Sequence, residues 1–155
     1  MSGNRSPDRW LGLLAREWPI LTVAVAMIWM FYLRIRTYRN FLVDGRVYFS
    51  GNDAWYHLRQ VQYMVANFPQ RMPYDPWTGY PVGRFASQFG TLYDQLVAAA
   101  ALVIGLGSPT EQQVALTLLV APAIFGTLVA VPTYLIGREL GGWPVGAFAV
   151  IILAL

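Results

Sequence analysis

Residues 114–137, VALTLLVAPAIFGTLVAVPTYLIG, decide the fold class: 24 residues without a charge. As a helix rising 1.5 Å per residue they reach about 36 Å, enough to cross a hydrocarbon core of roughly 30 Å. Pro122 and Pro132 lie inside the run, and membrane helices tolerate proline where neighbouring groups satisfy the freed carbonyls. Toward the C-terminus, Arg138 and Glu139 interrupt the apolar character, and a further apolar run begins near Trp143 and continues to Leu155. That last run is too short to cross a bilayer, so the sequence reads as cut within a helix. Toward the N-terminus, Leu96–Gly107 is apolar but has the length of a short helix lying at a membrane surface, placed at 96–106. Farther back, the 16 residues Trp18–Leu33 carry no charge and are flanked by Arg16 and Arg34, which can snorkel. A cleaved signal peptide is the rival reading, but the continuation Arg34-Ile35-Arg36-Thr37-Tyr38-Arg39 offers no small-residue cleavage site. A retained helix over 18–36 follows.

Composition agrees. The chain is 56% hydrophobic and 12% charged, whereas a soluble domain carries about 25% charged residues. All 11 basic residues are arginine, scattered for a net charge of +3, too little for a nucleic-acid footprint. With no cysteine there is no disulfide scaffold. The fold class is an all-α polytopic membrane protein whose large external loop holds a short β-hairpin and helices. Its parts are a cytoplasmic N-terminus at 1–17, a first transmembrane helix at 18–36, an external loop at 37–111, a second transmembrane helix at 113–137 and the start of a third at 143–155. Arg5, Arg9 and Arg16 put the N-terminus inside, and Arg138 falls inside when 96–106 does not span.

Within the loop, Phe41–Phe49 reads as two short strands about Asp44-Gly45, a pair that supplies the positive φ of a two-residue hairpin. Apolar residues at 54, 58, 61, 65 and 68 have helical spacing. Pro69, Pro73, Pro76 and Pro81 preclude a regular helix over 68–85.

A single histidine and no cysteine rule out the usual zinc sites. No nucleophile elbow, P-loop or dinucleotide fingerprint occurs. The remaining candidates are the loop carboxylates Asp44, Asp53, Asp75 and Asp94. Asp44 and Asp75 read as turn residues, and Asp94 as a first-turn carboxylate or cap. Asp53 follows Gly51-Asn52 at a strand-to-helix junction beside the membrane. It is either a helix N-cap, a job Asn52 or Ser50 would do equally, or an oxygen ligand for Mg²⁺ or Mn²⁺. His57, four residues on, shares its helix face and is either structural or a group supporting such a site.

Gly51-Asn52-Asp53-Ala54-Trp55-Tyr56-His57-Leu58-Arg59 resembles the first acidic motif of the oligosaccharyltransferase catalytic subunit family. Tyr80-Pro81-Val82-Gly83-Arg84 and Gly90-Thr91-Leu92-Tyr93 resemble the second half of that family's first external loop. The flavour is that of the archaeal dolichyl-phosphooligosaccharide–protein glycotransferases. The resemblance implies an integral-membrane glycosyltransferase of the cell membrane with its first loop extracellular. The donor would be a lipid-linked oligosaccharide on a dolichyl phosphate type carrier, and the acceptor a polypeptide asparagine in Asn-x-Ser/Thr. It implies Mn²⁺ or Mg²⁺ as cofactor, with the catalytic and metal role on Asp53 and Gly51 as the motif's backbone position. Arg59, Arg84 and His57 are the matching positions for substrate contacts. In this motif Gly51 stands where many relatives have a second aspartate, so one carboxylate is offered. The family's second acidic motif and its Trp-Trp-Asp-Tyr-Gly sequon-recognition motif do not occur before Leu155, so the resemblance implies that these residues alone do not catalyse.

Two rivals differ by testable features. A mannosyl- or aminoarabinose-transferase would show adjacent acidic residues after its first helix, whereas Asp53 lies between Asn52 and Ala54. The other is a transporter or structural membrane protein; transporters favour ionisable residues inside their spans, and the apolar runs here have none.

Overall fold

The structure, a computed structural model, describes residues 8–85 and 92–155, with side chains from Trp18 onward. Arg5, Gly90 and Thr91 lie outside the described residues, as do the side chains of Arg9 and Arg16. The described chain is largely helical: α1 (Asp8–Ile35), a 3-10 turn (Tyr38–Phe41), β1 (Leu42–Val43), β2 (Arg46–Val47), α2 (Asn52–Asn67), β3 (Tyr74–Asp75), β4 (Arg84–Phe85), α3 (Leu92–Ile104), α4 (Glu111–Leu128) and α5 (Ala130–Leu153). It divides into two units, one of residues up to Arg36 with Ala123–Leu155, the other Thr37–Pro122.

In the first unit, α1 packs on α5 through Ala26 and Met30 against Ala130, Val150 and Ala154, flanked by Val23, Met27 and Tyr134. Gly141 and Gly142 leave helical geometry, so α5 consists of two limbs. The limbs meet where a Cβ on Gly137 would lie 2.7 Å from Gly146 Cα, and one on Gly146 2.6 Å from the Tyr134 carbonyl oxygen. Backbones at that distance leave no room for a side chain. The outward side chains are apolar: Val25 and Ile28 of α1 and Phe148 of α5 are each more than 60% exposed. Two segments, Trp18–Phe41 and Glu111–Leu153, are long and apolar enough to cross a membrane by length and composition.

Several boundaries differ from the sequence reading, among them the short apolar helix read at 96–106, which runs Leu92–Ile104. α1 starts at Asp8, ten residues before the helix start read at 18 and within the stretch 1–17 read as the N-terminus. The span read as one helix over 113–137 is interrupted after Leu128 and resumes at Ala130; Pro132 has no N–H to give the Leu128 carbonyl, which loosens the ladder there. The resumed helix passes Arg138 and reaches the Gly141-Gly142 break before the second limb begins. α4 starts at Glu111 because Thr110 and Gln113 form a reciprocal capping pair, Gln113 N–H to Thr110 Oγ1 at 3.2 Å and Thr110 N–H to Gln113 Oε1 at 2.7 Å.

In the second unit, β1 and β2 pair antiparallel, Leu42 with Val47 and Val43 with Arg46. Asp44 (φ 49°) and Gly45 (φ 76°) make the two-residue turn, and Gln112 Nε2 donates to the Gly45 carbonyl at 2.6 Å. α2 packs on α3, burying Leu58, Val61 and Met64 of one and Val97, Ala98 and Ala101 of the other. The proline-rich stretch is non-helical but contains a second pairing that the sequence reading did not include, β3 with β4, Tyr74 opposite Phe85 and Asp75 opposite Arg84.

Candidate functional site

The site is organised by the first two turns of α2. Gly51 occupies the cap position in extended geometry, φ −135° and ψ 152°, and no side chain caps the helix. Asp53 is therefore not the cap that local pattern suggested. It stands exposed in the first turn, where the helix's positive end favours an anion. The extended φ of Gly51 suits any residue, and a Cβ there would meet nothing within 4 Å; the fold of this unit does not require glycine at that position.

Three side chains fasten these turns to three other segments. Trp55 Nε1 donates to the Phe49 carbonyl at 3.0 Å, its ring edge-on to Tyr48 and Phe49. His57 Nδ1 lies 2.7 Å from Oδ1 of Asp94, in the first turn of α3. Arg59 Nη2 lies 2.7 Å from Asp75 Oδ2. Asp75, 1% exposed, also accepts from Thr78 Oγ1 at 2.7 Å and from the Trp77 N–H at 3.0 Å. It is a turn residue, as read from sequence, and also a buried anion with a dedicated arginine. Burial pushes the Asp75 carboxyl up, but the bonds from Arg59, Thr78 and Trp77 outweigh it and hold the group below its ordinary value. At His57 the bond to Asp94 is the largest influence and raises the imidazole; burial opposes, and the charges of Asp94 and Asp53 add to the rise. Tyr93, in the first turn of α3 and edge-on to the His57 ring, is pushed up to about 12 by burial and the nearby Asp94 charge.

Asp53 and His57 border two hollows. One, of about 320 Å³, is lined by Asn52, Asp53, Tyr56, His57 and Thr78. The other, of about 450 Å³, runs past Gly51, Tyr93 and Leu118. The structure thus brings Gly51, Asp53 and His57 together. It engages Arg59 with Asp75. Arg84 is exposed on β4 and lies over Gly79, whose Cβ would come 3.1 Å from Arg84 Nε. Preceding it, Gly83 has φ +73°, and a Cβ there would overlap the Tyr74 hydroxyl, which donates to the Val82 carbonyl. That packing explains the glycine of the Tyr80–Arg84 motif. Among the described residues no three His, Asp or Glu side chains converge on a point that would hold a metal ion. The pairings His57–Asp94 and Arg59–Asp75 were not in the sequence reading, because residues 37 and 16 positions apart leave no periodic trace.

Residues 19–155 match the family described as oligosaccharyl transferase STT3, N-terminal. Over 146 residues the chain is 59% identical to the dolichyl-monophosphooligosaccharide–protein glycotransferase AglB of Haloferax volcanii, covering 92% of this chain and 14% of that protein. It is 30% identical to dolichyl-phosphooligosaccharide-protein glycotransferase 3 of Archaeoglobus fulgidus, over 90% of this chain and 16% of the relative. Among solved structures, it is similar to the A. fulgidus oligosaccharyltransferase AglB in complex with an inhibitory peptide and a dolichol-phosphate. That likeness has a TM-score of 0.78 at 29% identity, covering 91% of this chain and 16% of the other. The A. fulgidus enzyme tethered to an acceptor peptide with the NVT sequon gives 0.79 at 29% identity, covering 92% and 16%. The chain spans about one seventh of the length of these relatives.

Proposed function

The chain belongs to the STT3 oligosaccharyltransferase family, and from that premise we propose that it is the N-terminal part of an integral-membrane glycosyltransferase. The enzyme transfers a glycan from a lipid-linked, dolichyl phosphate type donor to asparagine in Asn-x-Ser/Thr of an acceptor polypeptide. The relatives' names and the dolichol-phosphate and sequon-peptide complexes of the A. fulgidus enzyme support both partners. The protein is multi-pass: 18–36 and 113–137 cross the membrane, a third crossing begins at 143, and 37–111 is extracellular. The exposed apolar faces of α1 and α5 support the crossings, and the arginines at 5, 9 and 16 support a cytoplasmic N-terminus.

Asp53 is one ligand of the catalytic Mn²⁺ or Mg²⁺. The observation that carries this reading is its placement: an exposed carboxylate, committed to no cap, at the mouth of two hollows on the motif helix. A hard divalent ion takes about six oxygens, and Asp53 offers two at most, so waters, donor phosphate and further protein oxygens would complete the set. When bound, such an ion neutralises charge on a departing phosphate. Arg84, exposed on β4, is the arginine free to reach donor phosphates; Arg59 and His57 act on the site through the elements they fasten.

The test is Asp53→Asn in the full-length enzyme, which keeps the shape and removes the charge. Transfer to an Asn-x-Thr peptide at saturating Mn²⁺ is expected to fall by orders of magnitude with thermal stability unchanged. Turnover near wild type would overturn the assignment.

A further inference from the structure

Asp94 lies on α3 in the unit that carries Asp53. It is fully buried. Oδ1 meets His57 Nδ1 at 2.7 Å, and among the described residues no hydrogen bond reaches Oδ2. An apolar side chain would fill that place with less desolvation, and a half-satisfied buried carboxylate calls for a role, here the orienting of another group. The group it orients is the His57 imidazole. The Tyr93 and Tyr56 rings stand edge-on to that imidazole, with centroids 5.4 Å and 5.5 Å away, so the ring has one seat.

His57 lies one turn beyond Asp53 on the same face of α2, and both line the same two hollows. The first turn of α2 has no side-chain cap to fix it. Polar anchors near it include Trp55 to the Phe49 carbonyl, His57 to Asp94 and, farther along, Arg59 to Asp75; of the first two, the former holds the turn to the preceding loop and the latter to α3.

We propose that Asp94 and His57 form a positioning pair for Asp53: Asp94 seats the imidazole, the imidazole holds the first turn of α2 against α3, and the Asp53 carboxylate is thereby kept in one place for a divalent cation. This rests on the reading of Asp53 as a cation ligand. Neither member of the pair touches the reacting atoms.

The experiment uses the full-length enzyme in detergent, with Mn²⁺ binding followed by the free-ion electron paramagnetic resonance signal, alongside peptide glycosylation kinetics. Asp94→Leu and His57→Leu should each weaken Mn²⁺ binding about ten-fold and lower kcat, with KM for the acceptor peptide unchanged. The double variant should be no worse than the poorer single, because the two side chains act as one unit. A shape-graded series covers the case in which a leucine variant does not fold. In His57→Asn the amide nitrogen takes the place of Nδ1 and keeps the bond to Asp94. In His57→Gln the amide nitrogen takes the place of Nε2 and loses it. Mn²⁺ affinity near wild type for asparagine and clearly weaker for glutamine is expected; equal affinities would overturn the proposal, as would additive losses in the double variant. Asp53→Asn is measured beside them. If it leaves Mn²⁺ binding and transfer at wild type, the reading of Asp53 fails and the pair's role fails with it. If it abolishes both while the folded pair variants behave as wild type, the pair's role alone is refuted.

Discussion

Where α1 meets α5 the buried side chains are Ala26, Met30, Ala130, Val150 and Ala154, and within α5 the two limbs touch at Gly137 and Gly146. Where α2 meets α3 the buried set includes Asp94, with Gln60 and Asp75 buried nearby. The unit that holds the first of these contacts packs through small residues, and between the limbs of α5 they let backbones approach, the way helices associate when their outer faces meet an apolar solvent. In the same unit the side-chain hydrogen bonds among the described residues are local, as in α4 from Thr127 Oγ1 to the Ala123 carbonyl at 2.7 Å. The second spends desolvation on charges and recovers it through long-range pairs. Buried charge is a poor way to gain stability but a good way to fix direction. The unit that carries the motif helix is the one that uses it.

The comparison is sharpened most by Arg59→Met. Asp75 keeps its bonds from Thr78 and the Trp77 N–H but loses its counter-charge. Removing one partner of a buried pair costs about 3–5 kcal/mol, and the low end applies because Arg59 is 32% exposed. Hydrogen exchange on the full-length protein should show α2 deprotected by about 3 kcal/mol while α5 is unchanged. Equal deprotection of α5 would break the separation into two kinds of packing.

Gly146→Val probes the other side. Its Cβ would lie 2.6 Å from the Tyr134 carbonyl oxygen and 2.9 Å from the Tyr134 ring, so the limbs of α5 must part. Overpacking of this kind costs about 1–3 kcal/mol. Exchange in α5 should rise with α2 unaffected. Full protection of α5 would mean that its two limbs do not depend on glycine contact.

The smallest effect is in pH. The bond from His57 to Asp94 raises the imidazole above its ordinary 6.5 against the opposing influence of burial. The pair's contribution is then complete below that ordinary value and fades as pH rises through the higher folded value. Asp75 is shifted the other way, burial raising it less than the bonds from Arg59, Thr78 and Trp77 lower it. Its contribution is present above the ordinary 3.8 and is lost as pH falls through the depressed folded value. Protection of α2, corrected for intrinsic exchange, should decline as pH rises above the ordinary imidazole value of 6.5, while α5 shows no such trend. A flat α2 profile from about pH 6 to about pH 9 would remove His57 from the energetics.

The sequence by itself determined the parts whose signals are local. The apolar runs located α1 and the α4–α5 region, because hydropathy accumulates along a helix whatever surrounds it. Asp44-Gly45 predicted the hairpin turn, because the positive φ is a property of those two residues. The Gly51–Arg59 motif pointed to the family and to Asp53. The start of α4 was also legible, in the Thr110-x-x-Gln113 capping pair, though it was read two residues late. Only the tertiary structure decided which polar groups pair. It set His57 on Asp94 and Arg59 on Asp75, left Asp53 uncapped and exposed, paired β3 with β4 across the prolines, and pressed Gly146 against Tyr134. The physical reason is that a charged side chain's partner is chosen by proximity after folding. A lone histidine and a lone aspartate on separate helices carry no mark in sequence of the bond that joins them.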